Sequence, residues 1–177
     1  MLSAKRKEES VISVIVDGVR FNFRAAAVIV DDGYALLHSA TFEDFWSLPG
    51  GRVEVGEPSA ATVARELAEE LGPACEAQVD RLLWVIETFF TYEGERVHEL
   101  GMYYHVTLGA SCPYLAKERP FEGVEENLPL HDGEPIRLIY QWFPLDTLVN
   151  VAMYPRVLRE RLASLPAAPE LLVEDDG

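Results

Sequence analysis

The stretch from Gly50 to Gly72 most tightly constrains what this chain can fold into. Gly50, Gly51 and Gly56 mark a tightly turning loop, Pro58 suits the first turn of a helix, and Gly72-Pro73 stops it. The spacing therefore predicts a helix from about Ser59 to Leu71. At about 100° per residue, Glu66, Glu69 and Glu70 fall within one arc of about 100°. Ala60, Val63, Ala64, Leu67 and Leu71 fall on a neighbouring arc that can face a sheet. One helix thus offers a core stripe beside a wall of three carboxylates, and that stripe must be buried against another layer.

The flanking sequence supplies the layer. Residues 11–16 and 19–24 are strand-like runs on either side of Asp17-Gly18, a strong hairpin signal because both turn positions need positive φ. The apolar run 25–30 turns through Asp31-Asp32-Gly33 into residues 34–38. A second hairpin is expected from 82–92 and 96–108 around Glu93-Gly94, both arms being rich in β-branched and aromatic residues. Residues 136–143 read as a further strand and 154–165 as a second helix. Residues 110–134 show no periodicity, and a loop of that length is either functional or disordered. The chain is read as a flexible N terminus over residues 1–10, one domain over 11–165, and an acidic flexible tail over 166–177.

Charge narrows the chemistry. The 177 residues carry 30 acids against 15 bases, a formal net charge of -15. Such a surface argues against general nucleic-acid binding and against an anionic membrane. No apolar run reaches the roughly 18 residues of a membrane span, and the N terminus lacks the apolar core of a signal peptide, so a cytoplasmic protein is expected. Cys75 and Cys112 stand far apart in no metal-type spacing and read as two free or buried thiols. A phosphorylated substrate would need a cation between itself and so acidic a protein.

The helix offers a place for one. Three like charges on adjacent turns repel by a few tenths of a kcal/mol per i,i+4 pair, which Arg65 only partly offsets. A solvated acidic face would explain the carboxylates but not the glycine loop before them. A hard divalent cation wants several oxygen ligands, and Mg²⁺ prefers octahedral oxygen with some retained water. Carboxylates beside an exposed glycine carbonyl meet that need.

Taken together, these residues resemble the Nudix box, GX5EX7REUXEEXGU, in which U is a bulky aliphatic residue. Gly51, Glu57, Arg65-Glu66-Leu67, Glu69-Glu70 and Gly72 fall at the required spacings. Pro73 replaces the final aliphatic residue, a packing position after the helix. A looser likeness, through Trp46–Gly51 and the His98-Glu99 hairpin, extends over about residues 20–150. The resemblance implies an α/β fold, an α/β/α sandwich around a mixed β-sheet. It implies hydrolysis of the pyrophosphate bond of a nucleoside diphosphate linked to another moiety, of nucleotide-sugar, ADP-ribose or (d)NTP type. By position, Glu66, Glu69 and Glu70, with the Gly50 carbonyl, would bind Mg²⁺ or Mn²⁺. Glu66 or Glu69 would deprotonate the attacking water, and Glu57 would pair with Arg65 to lock the loop onto the helix. A homodimer is a family-level expectation.

Several residues outside the box are candidates. Glu99 is a further ligand or an exposed strand glutamate. Glu122, Glu125, Glu126 and His131 lie in the 110–134 loop, from which some family members take a catalytic base. His38 and His105 read as strand residues with satisfied hydrogen bonds. Phe42, Phe45, Trp46, Tyr92, Tyr103 and Trp142 can stack a base or fill the core. The alternative to an enzyme is a nucleotide-binding module without turnover, although such a module would be free to lose the carboxylates. Isopentenyl diphosphate isomerase chemistry would want a cysteine before the box, and none precedes Cys75.

Overall fold

The computed structural model describes residues 10–124, 130–131 and 133–176. The N terminus expected to be flexible over 1–10 lies, apart from Ser10, outside the described residues. β1 (Ser13–Val16) and β2 (Val19–Val28) form the first hairpin. β3 (Val30–Asp31) and β4 (Tyr34–Ala40) form the next, and β5 (Trp46–Ser47) and β6 (Gly50–Arg52) lead into α1 (Ser59–Glu70). The long hairpin of β7 (Gln78–Tyr92) and β8 (Glu95–Thr107) follows. In the connecting turns Asp17, Asp32 and Glu93 have φ of 51°, 48° and 49°, each followed by a glycine at 75–80°. This is the turn whose twist matches the strands it joins. The remaining elements are β9 (Phe121–Glu122), β10 (Leu130–His131), β11 (Glu134–Pro135), β12 (Leu138–Pro144), β13 (Met153–Tyr154), α2 (Leu158–Arg161) and β14 (Glu170–Asp175).

β2 is the hub. It pairs antiparallel with β1 and β6 and parallel with β8. β8 pairs antiparallel with β7, and β7 parallel with β14, so the sheet is mixed. A second sheet runs β13-β5-β4-β12-β9, with β3 also on β4. Side-chain alternation divides β2 between two cores. Ala25 and Ala27 point to a core completed by Val63 and Leu67 of α1 and by Leu71 just after it. Ala26 and Val28 point to the other, completed by Leu148, Leu158 and Leu162. β4 does the same, with Leu36 in the first core and Ala35 and Leu37 in the second. α1 therefore covers one face and the C-terminal segments the other. Each fully buried leucine contributes about 1.5–3 kcal/mol to that arrangement.

Four expectations change. The second helix expected over 154–165 contracts to the four residues of α2. Met153 and Tyr154 are taken instead into parallel pairing with β5, and Pro155 blocks continuation. The tail expected to be loose over 166–177 contains β14, in register with Trp84–Phe89 of β7. Its acids do the docking. Glu174 accepts from the backbone N–H groups of Arg156 (2.9 Å) and Val157 (2.6 Å), and Glu170 pairs with Arg161 at 3.1 Å. Cys75 and Cys112 are not free thiols but form a disulfide tying the segment after α1 to the loop after β8. The 110–134 stretch is partly ordered: β9 pairs with β12, and β10 with β11.

No helix among the described residues is long and apolar enough to cross a membrane.

Candidate active site

The strand geometry before α1 builds the floor of the site. Gly50 and Gly51 sit opposite Ala26 and Ala25 of β2. A Cβ on Gly50 would lie 2.2 Å from the Ala25 carbonyl oxygen, and Gly50 has φ of 147°, so no other residue fits. A Cβ on Gly51 would lie 2.4 Å from the Glu66 carboxylate. The missing side chain is thus the space that lets Glu66 lie flat against β6. Arg24, from the neighbouring strand, donates to the carbonyls of Leu48 (3.4 Å) and Gly50 (3.2 Å), while Ala27 N–H donates to Pro49 (2.7 Å).

Glu57 and Arg65 close the loop onto the helix. Arg65 Nε and Nη2 donate to the two oxygens of Glu57 at 2.9 and 3.0 Å, a bidentate pair. The buried Thr62 hydroxyl adds a third bond at 2.8 Å. These bonds, Arg65's foremost, lower the Glu57 carboxyl to about 2 against the opposing effect of burial. Arg65 is correspondingly raised, chiefly by its bonds to Glu57. Its remaining nitrogen, Nη1, lies 2.6 Å from Glu66 and 3.7 Å from Glu69. One guanidinium therefore gathers both carboxylates.

Glu70 departs from the expected wall. It is 4% exposed and stands with Thr62, Val63 and Leu67 on the buried side of α1. The Tyr140 hydroxyl of β12 donates to its carboxylate. Among the described residues no group of three or more His, Cys, Asp or Glu side chains is assembled as a metal site. The donor chemistry of Glu66, Glu69 and the Gly50 carbonyl fits a hard divalent ion, while the Glu70 carboxylate accepts from Tyr140.

Glu99 is not the exposed strand residue of the bland reading. Burial pushes its carboxyl up, and Arg24, Asn22 and Arg52 pull part of the way back. It lies opposite Asn22 in the β2–β8 register, and Arg24 links it to the Gly50 carbonyl. Glu122 is exposed and pairs with Arg137 at 3.1 Å on the outside of β9. Glu125 and Glu126 lie outside the described residues, and for His131 only its backbone place in β10 is described. His105 pairs with Asp80 at 3.0 Å as expected. His38 does not follow that expectation. It is buried, its Nδ1 has no hydrogen-bond partner among the described residues, and burial lowers it to about 3. Tyr103 and Trp142 belong to the core, and Trp46 packs edge-on against Phe143. Phe45 sits edge-on between Tyr92 and Tyr154, and Phe42 is 42% exposed.

Sequence reasoning missed Arg24 and Tyr140. A single arginine beside the run Ala25-Ala26-Ala27 was the available signal for the first. Nothing local marks Tyr140, because its partner is 70 residues away.

The chain matches the NUDIX domain over residues 21–164, well over half its length. It belongs to the NUDIX family. Among curated NUDIX relatives, a Mycobacterium tuberculosis protein provisionally named mutator protein MutT4 is 41% identical over 59 residues, 33% of this chain and 23% of that protein. Another from that organism, provisionally named 8-oxo-dGTP diphosphatase 2, is 67% identical over 27 residues, 15% of this chain and 19% of that protein. The matches thus span a quarter or less of the relatives' own length. A solved UDP-X diphosphatase aligns with TM-score 0.52 at 20% identity, covering 97% of this chain and 76% of that one. An ADP-ribose pyrophosphatase from Streptococcus suis aligns with TM-score 0.50 at 17% identity, covering 86% and 98%. At those identities the likeness is one of NUDIX fold.

Proposed function

We propose that the protein hydrolyses the pyrophosphate bond of a nucleoside diphosphate derivative, with Mg²⁺ or Mn²⁺ held by Glu66, Glu69 and the Gly50 carbonyl. The observation that carries this is the clamp in which Glu57 fixes Arg65, and Arg65 in turn gathers Glu66 and Glu69 beside Gly50-Gly51. A divalent ion bound there supplies charge neutralisation on the bridging and leaving oxygens and acidifies water. The protein's own contribution is positioning. Gly51 leaves the room that Glu66 occupies, and Arg24 aims the Gly50 carbonyl. Glu69, its side chain 33% exposed against 13% for Glu66, is the better general base. Its carboxylate takes the proton of the water that attacks phosphorus.

The reading extends to small substrates of nucleotide-sugar, ADP-ribose or (d)NTP type and to no nucleic acid, since a charge of -15 disfavours long polyanions. The names of the relatives, an 8-oxo-dGTP diphosphatase, a UDP-X diphosphatase and an ADP-ribose pyrophosphatase, mark which compounds to try first. The test is a hydrolysis panel of nucleotide sugars, ADP-ribose, dinucleoside polyphosphates and oxidised nucleotides with Mg²⁺ or Mn²⁺. Release of a nucleoside monophosphate from at least one supports the reading. Tight binding with no turnover across the panel would replace it with a binding module.

A further inference from the structure

Glu70 is a buried carboxylate at the end of a helix whose other two carboxylates, Glu66 and Glu69, are gathered by Arg65, and its position needs an account. Its partner is rigid. Tyr140 is fully buried, its ring stacks on Phe121 with centroids 5.3 Å apart and planes 12° apart, and the His38 ring lies 5.5 Å away on β4. β12 is itself held by β4 and β9. The Glu70 backbone is equally fixed, its carbonyl accepting from Val124 N–H at 2.7 Å. What can change is the Glu70 side chain, with its three rotatable bonds. Glu66 lies one helical turn before it, so the two Cβ atoms are neighbours, about 5–6 Å apart. A change of rotamer needs no movement of the helix.

We propose that Tyr140 is a positioning residue that stores Glu70 away from the cation site, and that cation binding at Glu66 and Glu69 draws Glu70 off Tyr140 to complete the ligand set. This rests on the reading that Glu66 and Glu69 hold a divalent cation. In the metal-free protein the storage avoids three adjacent like charges, at the cost of a carboxylate held in the core by its hydrogen bond. Tyr140 thereby sets the affinity for the cation: the bond to the hydroxyl must be given up each time the ion binds.

The experiment is a Mn²⁺ titration of the purified full chain, free Mn²⁺ being read by electron paramagnetic resonance, on wild type, Tyr140→Phe, Glu70→Gln and the double variant. Tyr140→Phe keeps the ring and removes the hydroxyl, leaving Glu70 without that donor. It should bind Mn²⁺ about tenfold more tightly, the worth of one hydrogen bond to a charged group. Glu70→Gln should bind more weakly than wild type, and the double variant should match it, because the gain passes through the Glu70 carboxylate. Wild type should also show a tyrosine ultraviolet difference signal on Mn²⁺ addition that Tyr140→Phe lacks. Unchanged or weaker Mn²⁺ affinity in a Tyr140→Phe protein with native circular dichroism overturns the storage role alone. Failure of wild type to bind Mn²⁺ overturns the cation site and the storage role with it. A gain that persists in the double variant also overturns it, since the effect would then bypass Glu70.

Discussion

Replacing Glu57 by Gln tests whether the loop–helix clamp is electrostatic. The Glu57 carboxyl falls from an ordinary 4.5 to about 2, mainly through its bonds from Arg65. A tenfold change in acidity is worth about 1.4 kcal/mol, so the ionised form gains up to about 3 kcal/mol in the folded state. Glu57 and Arg65 side chains are 18% and 24% exposed, and solvent screening brings the expected figure nearer 2 kcal/mol. The sign follows from linkage. A depressed carboxyl stabilises the fold above its unfolded value near 4.5 and loses that contribution as pH falls toward 2. Glu57→Gln should therefore be about 2 kcal/mol less stable than wild type at pH 7, with the gap closing between pH 4.5 and pH 2. Urea unfolding of both proteins across that range measures it, and other carboxylates cancel in the difference. A gap that stays constant with pH would mean that Glu57 acts by packing or neutral hydrogen bonding, and the electrostatic clamp would be wrong.

Other expectations follow from particular contacts. Gly51→Ala places a methyl 2.4 Å from the Glu66 carboxylate, so it should weaken Mn²⁺ binding while leaving the far hairpin intact; isothermal titration with unchanged affinity would refute the packing argument. His38, lowered to about 3 by burial, stays neutral down to that pH, whereas the unfolded chain protonates it near 6.5. Its contribution is complete above pH 6.5 and declines as pH falls toward 3, so a His38→Leu variant should gain on wild type at pH 5 relative to pH 8. Equal gaps at both pH values in a denaturation series would count against its burial. Alkylation without reductant should leave Cys75 and Cys112 unlabelled by mass spectrometry. Labelling of both in folded protein would contradict the bridge between them.

The parts of the fold written in local chemistry were legible in the sequence. Asp17-Gly18, Asp32-Gly33 and Glu93-Gly94 announce their hairpins because positive φ is a property of the residues at the turn. α1 was legible because its stripe, its proline and its closing glycine sit within fifteen residues. β14 was not, because an acidic C-terminal run gives no sign that Arg156, Val157 and Arg161 wait to receive it. The same limit applies at the site. The Glu57–Arg65 pair followed from the family resemblance, and helical periodicity put Glu66, Glu69 and Glu70 on one arc. That arc straddles the boundary of the buried face, and which of the three turns inward depends on Tyr140, far along the chain. The disulfide was missed for a related reason: 37 residues separate the cysteines, and only the fold brings them together.

The central claim is that Glu66 and Glu69, gathered by Arg65 beside Gly50, run a cation-dependent pyrophosphate hydrolysis. The most direct measurement is kcat on the best substrate of the panel, with and without Mg²⁺, for wild type, Glu66→Gln and Glu69→Gln. The account predicts turnover that requires the cation and falls by about two orders of magnitude or more in both variants, in proteins that retain native circular dichroism. Turnover that survives either substitution undiminished, or that proceeds equally well in chelator, would contradict it.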